Sequence, residues 1–105
     1  MEDKGLWEDE KKPMVLFEVI EMTSYEYETN VETVLCASLL DAHFEFKERV
    51  ERVKKEECCW DEDGNLEEGY ICEEEKDYFN LYKDGYAAQF EITIWIMKKE
   101  VVSNF

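Results

Sequence analysis

A chain of 105 residues with 28 Asp and Glu against 12 Lys and Arg carries a formal charge of −16. Such a surface repels phosphate backbones and anionic lipid heads, which argues against direct nucleic-acid binding and membrane attachment. The length suits one domain with one core, and three Trp, six Tyr and six Phe set the chain apart from disordered acidic tails.

No apolar run approaches the roughly 20 residues of a membrane span. The opening Met1-Glu2-Asp3-Lys4 lacks the apolar stretch of a secretory signal, so a cytoplasmic protein is expected. Residues 1–13 read as a loosely attached leader, punctuated by Gly5 and Pro13, with Leu6 and Trp7 to dock it. From Met14 to Met22 the side chains are mostly β-branched, aromatic or aliphatic, which predicts a strand. Val15, Phe17 and Val19 share one of its faces. Leu16, Ile20 and Met22 share the other with Glu18, as suits a central strand.

Residues 23–30 suit a loop or the flared end of a hairpin. A second strand is expected at 31–37, antiparallel to the first, with Val31, Thr33, Leu35 and Ala37 on one face. Ser38 then reads as a helix cap, with Asp41 three residues on to complement the helix dipole. Leu39, Ala42, Phe46, Val50 and Val53 recur at spacings of three and four, an apolar stripe over residues 39–56. Glu45 with Arg49, Glu48 with Arg52 and Glu51 with Lys55 form acid-before-base pairs at the favourable spacing.

An acidic insert follows at 57–76. Residues 56–77 hold eleven acids against Lys76 alone. Trp60, Leu66, Tyr70 and Ile71 interrupt the charge, and Gly64 and Gly69 mark turns, so an ordered loop is expected, with a short strand or helical turn near 69–76. The last third reads as a hairpin, with strands at 78–83 and 86–97 joined by a two-residue turn at Asp84-Gly85. That turn sets Lys83 opposite Tyr86, Leu81 opposite Ala88 and Phe79 opposite Phe90. With Ile92, Ile94 and Ile96 they make one apolar face, and the overhanging end of the last strand is expected to pair with the first strand. The expected fold is α+β in two layers, β-β-α-β-β, an antiparallel sheet of about four strands with one long helix packed on one face. The sheet's other face, with Trp95 and several Tyr, is partly apolar and is expected to be covered by the leader or by a partner.

Chemical motifs are few. His43 is the only histidine and has no companion set for a metal or catalytic site. Cys58 and Cys59 are adjacent, which does not match zinc-ligand spacing, so Cys36, Cys58, Cys59 and Cys72 read as free thiols. Asp61-Glu62-Asp63-Gly64-Asn65 resembles the opening of an EF-hand calcium loop. The match fails at Leu66, where the sharp-turn glycine belongs, and at Cys72, where the bidentate Glu belongs. With neither phosphate loop nor nucleophile elbow, an enzyme is not expected, and no catalytic residue, metal or cofactor is assigned.

Protein binding remains. The residues expected to carry it are Asp61, Glu62, Asp63, Glu67, Glu68, Glu73, Glu74 and Glu75, presenting carboxylates to a basic protein, including one whose cationic sites are built for nucleic acid. In size, charge and lack of catalytic motifs the chain is similar to the small acidic proteins by which phages and mobile elements inhibit host nucleases. That similarity is one of composition, and no motif carries it. The alternative is a self-associating domain, a homodimer through its open sheet face or last strand, whose acidity serves solubility alone.

Overall fold

The computed structural model describes residues 14–83 and 90–101. The leader at 1–13 and the turn at Asp84-Gly85 lie outside the described residues. In chain order the elements are β1 (Met14–Tyr25), β2 (Glu28–Cys36), α1 (Leu39–Glu56), β3 (Tyr70–Glu74), β4 (Tyr78–Lys83) and β5 (Phe90–Val101). The five strands form one antiparallel sheet in the order β2-β1-β5-β4-β3.

The fifth strand corrects the expected count of about four. Tyr70–Glu74 pairs with β4, Cys72 facing Leu81 and Glu74 facing Phe79. The sequence left a short strand or a helical turn open near 69–76, because only Tyr70 and Cys72 pack against the core while acids crowd both neighbouring segments. Of the two readings of residues 23–30, the hairpin end is the one that forms: β1 and β2 continue through them to a two-residue turn of Glu26 and Tyr27. Glu26 takes φ +48°, the left-handed region that both primed hairpin turns require at their first residue.

β1 is flanked by β2 and β5, and it pairs with β5 along its whole length, from Met14 opposite Val101 to Tyr25 opposite Phe90. The end of the last strand therefore does pair with the first. The register of the last hairpin differs from expectation: Phe79 faces Ile94 rather than Phe90, and Leu81 faces Ile92 rather than Ala88. The slip is four residues. Because side chains alternate with a period of two, an even slip leaves every residue on its expected face. Phe79, Leu81, Ile92 and Ile94 still point together into the core.

Ser38 caps α1, its Oγ accepting from the Asp41 N–H at 3.1 Å. The helix's buried residues are Ala42, Phe46, Val50 and Val53, and they form one buried cluster with Val19, Cys59, Phe79, Leu81, Ile92 and Ile94. Leu39, expected in the stripe, is exposed in the first helical turn. Burying a side chain of this size contributes about 1.5–3 kcal/mol. No helix among the described residues is long and apolar enough to cross a membrane.

Among the described residues, only Glu45–Arg49 of the three expected helix ion pairs forms, at 2.7 Å. Arg52 turns away from Glu48 to meet Glu21 on β1 and Glu56 on the helix. A nearly buried carboxylate on the neighbouring strand is a stronger attraction than an exposed one along the helix.

Candidate functional site

The insert starts where α1 stops. Glu57 takes an extended conformation at the C-cap, and its carboxylate accepts from the Tyr25 hydroxyl at 3.3 Å. Cys59 then turns inward and is 2 % exposed. Trp60, Leu66, Tyr70 and Cys72 pack against the core cluster, so apolar side chains anchor the segment on both sides of its acids. Tyr70 meets the Phe90 ring edge-on at 6.2 Å between centroids, and Phe90 in turn contacts Tyr25.

Between Trp60 and Leu66, which form an isolated bridge, the chain makes a tight loop. Oδ1 of Asp61 accepts from the N–H groups of Asp63 and Asn65, both at 2.9 Å. Backbone bonds from Asp61 N to Asn65 O and from Gly64 N to Asp61 O close it, with Gly64 at φ +84°. Asp61 therefore orders its own turn, as an Asx motif does. Glu67 donates its N–H to Cys59 O at 2.7 Å, and Gly69 at φ +94° leads into β3.

All eight acids singled out in the sequence are exposed. The fold does not bring them into one cluster. Asp61, Glu62 and Asp63 ride the tight loop, Glu67 and Glu68 the turn before β3, and Glu73, Glu74 and Glu75 the far end of that strand. The strand between the last two groups is about 13 Å long. Glu74 is held by Lys54 of α1, Nζ to Oε1 at 2.7 Å. For Glu62, Asp63, Glu67, Glu68, Glu73 and Glu75 no ion pair or side-chain hydrogen bond occurs among the described residues.

The fields of these acids register on their neighbours. The Tyr78 hydroxyl holds its proton more tightly than usual, through burial first and then through Glu73, Glu91 and Glu75. Burial pushes the Cys72 thiol up, Glu74 adds to the effect, and Lys54 opposes it. Burial also raises Cys59, against an opposing hydrogen bond to Tyr70. All four cysteines are free thiols, and raised values disfavour the reactive thiolate at Cys36, Cys59 and Cys72. No group of three or more potential ligands suited to a metal ion occurs among the described residues.

Two features escaped the sequence. The first is a charge network centred on the nearly buried Arg49–Glu21 pair, in which Arg49 also reaches Glu32 and Glu45 while Arg52 shares Glu21. Its signal was Glu21 itself, an acid at a core-facing position two residues after Val19. The second is a groove of about 510 Å³ between α1 and residues 74–76, lined by the exposed Leu40 and the buried Phe46 and Val50. His43 lines that groove. No protein-family model, curated protein or solved structure matches this chain.

Proposed function

We propose that this protein is a stoichiometric binding module whose acidic segment engages a basic partner protein, of the class whose cationic surface is built for nucleic acid. A phage or mobile-element inhibitor of a host nuclease would act in this way. One observation carries the reading: six exposed carboxylates stand on an ordered, core-anchored segment with no cationic partner among the described residues. An ordered anion array costs less entropy to dock than a mobile tail, and its field speeds encounter with a cationic surface.

The test is reversal of Glu67, Glu68, Glu73, Glu74 and Glu75 to Lys. The variant keeps its fold by circular dichroism and loses salt-eluted capture of a basic protein from the native host. Undiminished capture by a folded variant removes the acidic segment from the function.

A second reading has its own support. The sheet face away from α1 carries Val31 and Leu35, each 57 % exposed, with Met14, Met97 and Val101 also exposed. Exposed apolar side chains gathered on one sheet face suit self-association. On that reading the acidity serves solubility.

A further inference from the structure

The outer edge of the sheet specifies how a basic partner is held. β3 is the terminal strand and pairs only with β4. Glu75 donates its N–H to Tyr78 O at 2.7 Å, which makes 75 and 78 a hydrogen-bonded pair. In an antiparallel ladder such pairs alternate, so Glu73 with Asn80 and Ile71 with Tyr82 are hydrogen-bonded too. Cys72 and Glu74 fall between them and turn their N–H and C=O groups outward, away from β4. The Tyr70 N–H also points outward, and it bonds back to Glu67 O at 3.3 Å. The open edge is thus centred on Cys72 and Glu74.

The two sides of this edge differ in chemistry. On the helix side lies the groove, lined by the almost wholly buried Phe46 and Val50 and rimmed by Lys47, Lys54 and Lys76 among Glu51, Glu74 and Glu75, of which only Lys54 and Glu74 pair. On the other side stand Ile71 and Glu73, with Glu67 and Glu68 at one end of the strand. A strand laid along β3 would place alternate side chains on these two sides. The groove side suits an apolar residue, and the other side suits Lys or Arg.

We propose that β3 accepts an extended, basic segment of the partner protein as a sixth strand, with alternate apolar side chains seated over Phe46 and Val50. This inference rests on the carboxylate reading above and supplies its geometry. Backbone bonds to Cys72 and Glu74 fix the register, and the acids select the sign of charge. A second copy of this chain fits less well, since it brings its own Glu73, Glu74 and Glu75 and a charge of −16.

The test uses the full chain and two synthetic peptides of identical composition, one alternating Lys and Val, the other with all Lys before all Val. Amide exchange at Cys72 and Glu74 is followed by NMR as each peptide is added at low salt. The alternating peptide protects both amides and binds more tightly than the block peptide. Glu74→Pro removes one outward N–H at an edge position and lowers that affinity about tenfold, whereas Glu74→Gln lowers it by about twofold. If both peptides bind equally with no protection at Cys72 or Glu74, strand addition is wrong while the carboxylate reading survives. If neither binds at low salt, both readings fall. Protection that grows with protein concentration in the absence of peptide assigns the edge to a second copy and overturns the inference. The wild-type exchange data decide the matter even if Glu74→Pro fails to fold.

Discussion

Nη1 of Arg49 on the helix lies 2.8 Å from Oε1 of Glu21 on β1, with the two side chains 11 % and 9 % exposed. The helix and the sheet are therefore joined by a charge pair as well as by apolar contact. Burial works against the Arg49 charge, but hydrogen bonds to Glu45, Glu21 and Glu32 outweigh it and hold the guanidinium more firmly protonated than usual.

Removing Arg49 strands Glu21 with Arg52 as its remaining partner, whereas removing Glu21 leaves Arg49 with Glu32 and Glu45. Arg49→Met is therefore expected to lose about 3 kcal/mol, and Glu21→Gln clearly less. Urea denaturation of the two variants measures the asymmetry. Equal losses would show that Glu32 and Glu45 contribute nothing to holding Arg49.

The strongest elements were legible because local and long-range signals agreed. The helix has a Ser38 cap, an uninterrupted stripe and no Gly or Pro, and it spans Leu39–Glu56 as its pattern predicts. Faces were readable too, because period-two alternation survives an even register slip. Register was not readable, since it depends on the connection between β4 and β5, and a turn dipeptide speaks only for its own two residues. β3 was ambiguous in the sequence because an edge strand needs only Tyr70 and Cys72 turned inward. The exposure of the eight acids was foreseeable from composition. Their division among the tight loop, the turn before β3 and the end of that strand, the use of Asp61 inside its own turn and the tether from Lys54 to Glu74 have no signature that the sequence reading could use.

Glu26 occupies the left-handed region at φ +48°, where a Cβ is disfavoured. Glu26→Gly relieves that strain at the cost of some unfolded-chain entropy, for a net gain of about 0.5 kcal/mol. Thermal unfolding reads the change. A loss of stability would mean that the Glu26 side chain makes a contribution outweighing its backbone strain.

Burial raises the thiols of Cys36, Cys59 and Cys72 and the hydroxyl of Tyr25, the last with help from Glu57. The folded state thus keeps these protons at a pH where the unfolded chain has released them. Their contribution is full below the unfolded values, about 8.5 for a thiol and about 10 for tyrosine, and is lost as pH rises through the folded ones. The urea midpoint is expected to fall as pH rises above about 8.5, and Cys59→Ala with Cys72→Ala to flatten that fall. An alkaline slope unchanged in the double variant would assign the loss to groups other than these two thiols.

Salt separates the two functional readings by sign. Capture of a basic protein by exposed carboxylates weakens as salt rises, because the Debye length shrinks from about 30 Å at 0.01 M to about 3 Å at 1 M. Self-association through Val31, Leu35 and Met97 must overcome repulsion between two chains of charge −16, so the same salt strengthens it. Sedimentation equilibrium of the protein alone, at both salt limits, is expected to report a monomer throughout if the acidic reading holds. A dimer that grows with salt and vanishes in Val31→Asp with Leu35→Asp would assign the sheet face as the working surface. Those two substitutions lie on the face away from α1, so the core cluster is untouched in either outcome.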